Sequence, residues 1–165
     1  VKPFLIDTHS HLHFGAYDKD RDEVLLRMRE KNIWTVTVGT NAPTSKGAIA
    51  LAERELHVFA SVGFHPGNLT SLHEDEYEET DPNPYSLESM EAIARSSERV
   101  VAIGEIGLDY HHIDPNLDQN EARELQKSAF RDQLALADEL DLPVIIHCRE
   151  AIDDVIEVIQ DARFQ

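Results

Sequence analysis

Five short apolar runs, at Phe4 to His9, Trp34 to Gly39, Val58 to Phe64, Val100 to Ile106 and Val144 to His147, recur along the chain with stretches of helical length between them. This alternation predicts a βα unit repeated five times, because parallel strands need a crossover long enough to hold a helix. The runs are nearly continuous in apolar residues, as strands buried on both faces are. Between them, Asp20 to Lys31 carries Val24, Leu25 and Met28 at helical spacing, and Thr44 to Glu55 carries Ile49, Leu51 and Ala52 after a stop signal at Pro43. Ser86 to Ser97 has a stripe of Leu87, Met90, Ile93 and Ala94, with Ser86 as its N-cap. The longest helix is expected over Gln119 to Leu140, ended by Asp141-Leu142-Pro143, and Ala151 to Ala162 continues the pattern. Only Pro66 to Tyr85 is long and irregular, and at that length it is either a functional loop or a mobile surface one.

The 165 residues suit one ordinary domain, and 41% hydrophobic with 28% charged residues is a globular balance. No run reaches the roughly 18 apolar residues of a membrane span, and the N-terminus lacks an apolar run with a small-residue cleavage site, so a cytoplasmic protein is expected. A single cysteine, Cys148, forms no internal disulfide, in keeping with a reducing compartment. The net charge of −17 excludes a protein that grips polyanions through a basic surface. Part of that charge lies in His73 to Asp81, which reads as a solvated acidic loop and not as a ligand cluster.

In parallel αβ folds, reactive side chains sit at the C-terminal ends of strands. The polar residues fall at those ends: Asp7-Thr8-His9-Ser10-His11, Gly63-Phe64-His65-Pro66, Gly104-Glu105-Ile106-Gly107-Leu108-Asp109-Tyr110 and His147-Cys148-Arg149-Glu150. His9 and His11 point to one side of their strand and can share an ion, while Glu105 adds a hard oxygen ligand of the kind zinc or manganese accepts. A hydrogen-bonded structural role is the alternative for each histidine, and for Glu105 it is a pairing with an arginine or backbone amides. His147 is a ligand or a core histidine. Arg149 is a clamp for phosphate or carboxylate, or a partner of Glu150 or Asp153. His65 lies level with the other strand ends, where it contacts substrate or orients a ligand, and Asp109, at the start of a loop, accepts a hydrogen bond from a ligand. Cys148 faces away from His147 and is expected as a small buried hydrophobe. His13, His57, His73, His111 and His112 are expected on loops or the surface.

These four motifs, in this order and spread over essentially the whole chain, resemble the TatD family of metal-dependent deoxyribonucleases, amidohydrolase-like barrels. The resemblance implies a (β/α)8 fold, here as its first five units in a single domain over 1–165, with 67–85 as an acidic loop insertion. It implies two divalent ions (Zn, Mg or Mn) at the top face, His9 and His11 holding the first, Glu105 bridging both and His147 helping to hold the second. Asp7 and Asp109 would orient ligands, and His65 and Arg149 would contact DNA or a small phosphodiester that a metal-activated water hydrolyses. A complete barrel runs to about 250 residues, so three further units are expected from a longer gene product or a second chain. In the family those units carry another histidine ligand and a late catalytic aspartate. Two alternatives accompany this reading: hydrolysis of an ester or amide by the same site, and an inactive fragment lacking the last ligands.

Overall fold

The computed structural model describes residues 2–71 and 78–162. Its strands are β1 (Leu5–Ser10), β2 (Ile33–Val38), β3 (Val58–Val62), β4 (Val100–Asp109) and β5 (Val144–Arg149). All pair in parallel, each with its successor in the chain, in the order β1-β2-β3-β4-β5. A doubly wound sheet reverses its strand order at a switch point, whereas a barrel adds strands in sequence. The unbroken order here makes a curled half-barrel.

Its helices are α1 (Arg21–Glu30), α2 (Ala42–Arg54), α3 (Gly67–Thr70), α4 (Leu87–Ala94), α5 (Gln119–Leu140) and α6 (Ile152–Ala162). Pro43 does not stop α2 but sits in its first turn, where a missing N–H costs nothing. Asn41 caps that helix, accepting from the Thr44 amide at 2.9 Å while the Thr44 hydroxyl accepts from the Asn41 amide at 2.9 Å. Ser86 caps α4 as expected, through Ser89 N at 3.2 Å. Asp118 caps α5 at Asn120 and Glu121, and α5 ends at Asp141 in the left-handed region, φ 54°. On α5, Phe130, Leu134 and Ala137 make one buried stripe, and the helix lies against β4.

Burial on both faces holds for β3 and β4 but not for the outer strands: Leu5 and Ile6 of β1 are 53% and 52% exposed. Each outer strand has a paired neighbour on one side only, so neither of its faces is fully covered. The same geometry leaves Cys148 on β5 exposed, which corrects its expected burial. The segment 66–85 is not wholly irregular, since α3 forms directly after Pro66. Residues 72–77 of the acidic loop, including His73, lie outside the described residues.

Two amides on α5, seven residues apart, tie the sheet's upper end to the helix layer. Gln133 accepts from Phe64 N at 2.7 Å and donates to Phe64 O at 3.2 Å. Gln126 does the same for Asp109, at 2.8 and 2.9 Å, and also donates to Thr70 Oγ1 at 2.6 Å. Both side chains are buried, so each amide replaces water for the backbone of a strand end. Gly107, at φ 135°, completes the upper end of β4: a Cβ there would lie 2.1 Å from the carbonyl oxygen of His147.

Candidate metal centre

The upper end of the half-barrel is a cavity of about 570 Å³ whose lining includes His9, His11, His65, Glu105, Asp109 and His147. Five of these residues leave β1, β4 or β5, and His65 follows β3, held by its amide to Thr40 O at 2.7 Å. Strand alternation and the Gln126 and Gln133 clamps therefore aim six side chains from four strand ends into one space.

Glu105 is the centre of the arrangement. Its Oε2 lies 3.4 Å from His9 Nε2 and its Oε1 3.1 Å from His147 Nδ1. Burial by itself would raise this carboxyl, but the hydrogen bonds from His147 and His9 hold it well below the ordinary carboxylate range. His147 is the second hub, because its Nε2 reaches Asp109 Oδ2 at 3.0 Å. Burial lowers its pKa, yet the carboxylates of Glu105 and Asp109 outweigh that and raise it above the ordinary value. His9 is raised as well, chiefly by its bond to Glu105. Asp109 is held low against its burial by hydrogen bonds from His112.

The two carboxylates thus favour a proton on His147, which lies between them, and Glu105 does the same for His9. His11 differs: burial lowers it, and its Nδ1 donates to Val38 O at 2.9 Å, leaving Nε2 as the free ligand nitrogen. His65 is lowered to about 4 by burial, its Nδ1 accepts from Gly67 N at 3.0 Å, and its ring stands edge-on to His147 with centroids 4.2 Å apart.

Two sets of donors fit a divalent cation. His9, His11 and Glu105 bring one ligand atom each within 4.8 Å of one another, and so do His65, Asp109 and His147. Imidazole nitrogens with carboxylate oxygens suit zinc and manganese, and depressed carboxyls remain anionic ligands at neutral pH.

The remaining site residues fall around this core. Asp7 lines the cavity and its Oδ1 accepts from the His9 amide at 3.0 Å. Arg149 ends β5, exposed and outside the cavity lining. Asp109 is not in a loop but is the last residue of β4, because its backbone pairs with Arg149. Two of the histidines expected on loops or the surface do lie on loops, but their rings turn inward. His112 lines the cavity and lies 2.8 Å from Asp109 Oδ2, brought back by the turn in which Asp109 Oδ1 accepts from the His111 and His112 amides. His13 is held against Thr37 Oγ1 at 2.8 Å, and burial pushes it down to about 3. The spacing Asp-x-x-His, which suits a tight Asx turn, was the signal for His112. Glu78, from the acidic stretch, also lines the cavity and is not simply solvated.

The family model described as TatD related DNase matches residues 6–165. A metal-dependent hydrolase of Bacillus subtilis, YabD, is 37% identical over 158 residues, covering 95% of this chain and 55% of its own length. A 3'-5' ssDNA/RNA exonuclease, TatD of Erwinia amylovora, is 37% identical over 160 residues, covering 94% of this chain and 54% of its own length. Among solved structures, the TatD homolog YjjV of Escherichia coli superposes with a TM-score of 0.74 at 29% identity, over 97% of this chain and 56% of that one. The chain spans about half the length of the curated relatives it matches.

Proposed function

Since the chain belongs to the TatD-related DNase family, we propose that the whole protein is a metal-dependent phosphodiesterase acting on nucleic-acid ends or small phosphodiesters at the upper cavity. The observation that carries this reading is Glu105, whose two oxygens face two different histidines at 3.4 and 3.1 Å. A carboxylate so placed could serve a cation on either side: His9 and His11 would hold one divalent ion, and His147 with Asp109 would hold the other. Zinc, magnesium and manganese are the candidates. A bound divalent ion supplies Lewis acidity, which acidifies water and neutralises charge on phosphate oxygens.

The chain's own residues do the rest. Asp7 fixes the backbone at His9, Val38 fixes the ring of His11, and Gln126 fixes the backbone from which Asp109 projects. His65, neutral and edge-on to His147, is positioned to contact substrate beside them. Arg149 stands outside the lining and would meet only the part of a substrate that extends past β5. The whole of 1–165 acts as one domain, with 67–85 as an insertion at its rim. Further βα units, in the same polypeptide or another, would close the barrel and add a late aspartate. Among the described residues no helix is long and apolar enough to cross a membrane, and we assign the protein to the cytoplasm on its single cysteine.

The test is metal analysis with hydrolysis of bis(p-nitrophenyl) phosphate and single-stranded DNA, for the whole protein and for His9→Ala and Glu105→Gln. We expect metal-dependent turnover lost in both variants. An intact protein inert with all three metals would overturn the reading. Hydrolysis of carboxylic esters or amides is the second reading, favoured by one observation: among the described residues lining the cavity there is no lysine or arginine, while Asp7, Glu78, Glu105 and Asp109 are all acidic. Turnover of p-nitrophenyl acetate exceeding that of the phosphodiester would support it.

A further inference from the structure

Beside the metal centre, three side-chain donors converge on one oxygen atom. The hydroxyl of Thr40, the Nδ2 of Asn41 at 3.2 Å and the Nδ2 of Asn68 at 3.2 Å all donate to Glu78 Oε1. None of the three is aimed there by Glu78 alone. Asn41 is buried, its oxygen is committed to the cap of α2, and its amide also donates to Glu79 O at 2.8 Å. Asn68 is fixed by a second bond, to Thr40 O at 2.9 Å, and the Thr40 amide donates to Thr44 Oγ1 at 2.9 Å. The donors are therefore oriented by the backbone around the start of α2, and they form a neutral cradle for an oxyanion.

Preorganised N–H and O–H groups that converge in this way bind phosphate oxygens as readily as carboxylate oxygens. Thr40, Asn68 and Glu78 line the same cavity as Glu105 and His147.

We propose that Thr40, Asn41 and Asn68 form a phosphate subsite of this cavity, and that the Glu78 carboxylate occupies it in cis. Substrate phosphate then competes with a side chain of the protein itself. The assignment rests on the phosphodiester reading for its ligand class. The described lining of the cavity holds no lysine or arginine, so a phosphate entering it would be held by neutral donors such as these. It follows that the protein, as built, handles ends carrying a free hydroxyl better than ends carrying a further phosphate, and that loss of Glu78 reverses this preference.

Two substitutions separate occupancy from charge. Glu78→Gln keeps an oxygen that can accept all three donors, so the cradle stays filled without a negative charge. Glu78→Ala empties it. The readout is the thermal midpoint of the protein, metal content as isolated, titrated with inorganic phosphate at constant ionic strength. Wild type gives the phosphate response of the metal centre, and Glu78→Gln gives the change in that response when the charge alone is removed.

Glu78→Ala should gain a saturable rise of about 2–4 °C over wild type. Glu78→Gln should gain none, and Glu78→Ala with Asn68→Ala should lose the gain. An equal response of Glu78→Ala and wild type would overturn the proposal, and so would an equal gain in Glu78→Gln, which would mean that only charge had been removed. Glu78→Ser takes the place of Glu78→Ala if the latter does not melt cooperatively. No turnover is needed for this readout, so a protein that hydrolyses no phosphodiester would defeat the proposed activity while this test still ran to a result.

Discussion

The two rims of the half-barrel dispose of buried polarity in opposite ways. At the lower rim, the Arg99 guanidinium donates to Ala52 O at 3.0 Å, Glu55 O at 2.9 Å, Leu56 O at 2.9 Å and also to Val58 O, while its face covers the Phe59 ring at 4.2 Å. One cation closes the carbonyls where α2 ends and β3 begins. At the upper rim, Glu105 faces His9 and His147, and Asp109 faces His147 and His112, in side-chain contacts of 2.8–3.4 Å. Anionic oxygens gathered in a buried place are costly unless positive charge joins them, and His9 and His147 are both raised toward carrying it. The lower rim is finished by its own chain. The upper rim is held open in geometry and in charge by the Gln126 and Gln133 clamps beneath it.

The sharpest way to break this contrast is Glu105→Gln. Removing the shared carboxylate should lower kcat by about 1000-fold, equivalent to about 4 kcal/mol of transition-state stabilisation at 1.36 kcal/mol per tenfold. The metal-free protein should lose some stability with the carboxylate's bonds to His9 and His147 but still unfold in one cooperative step, since the fold below does not depend on that side chain. Arg99→Met is the opposite experiment. It leaves several carbonyls without a donor and should cost about 3 kcal/mol in urea unfolding, with metal affinity by calorimetry unchanged. If Arg99→Met lost metal, or if Glu105→Gln unfolded, the division of labour between the rims would be wrong.

Metal addition sharpens the same contrast at the next level of effect. An ion that binds only the folded state at about 100 times its dissociation constant should stabilise by about 2.7 kcal/mol. The gain should be the same in wild type and Arg99→Met and absent in His9→Ala, by differential scanning calorimetry. It should also weaken on acidification from a higher pH than ordinary histidines require. His9 and His147 sit above their usual pKa, so their protons compete with the ion before a normal imidazole would charge.

How legible this was in the sequence depended on whether a role was local. β3, β4 and α5 were readable because continuous apolar runs and a 3.6-residue stripe report burial directly, and α5 matches its expected bounds, Gln119–Leu140. His9 and His11 were readable as a pair because alternation along one strand fixes their common side. Gln126 and Gln133 were not, because a glutamine on a helix gives no sign that its amide reaches a strand end 17 or 69 residues away. Glu78 was hidden for the same reason: in an acidic stretch its charge looks solvated, and only the fold brings it to Thr40 and Asn68. The exposure of β1 and β5 could not be read from their apolar composition, which describes what a strand prefers and not which neighbours it has.

The smallest effect concerns His13, which lies two residues past His11 but belongs to the finished kind of interior. Its Nδ1 is bonded to Thr37 Oγ1 at 2.8 Å and its Nε2 is buried without a partner among the described residues, so the ring is kept neutral down to a pH of about 3. In the unfolded chain the same imidazole takes a proton near pH 6.5. Between those two values the unfolded state binds more protons than the folded one, so stability rises with pH in this window and falls as pH drops from 6.5 toward 3. At 1.36 kcal/mol per pH unit per proton, acidifying from pH 6.5 to pH 5 should remove about 2 kcal/mol through this residue. His65, lowered to about 4, adds a loss of the same sign. Urea denaturation at pH 7 and pH 5 measures the sum, and His13→Gln isolates one part of it, because a glutamine amide can reach Thr37 but does not titrate. The variant should lose clearly less stability than wild type on acidification. An identical acid slope in the two proteins would mean that His13 charges inside the fold, and that its neighbourhood is as open to charge as the rim above it.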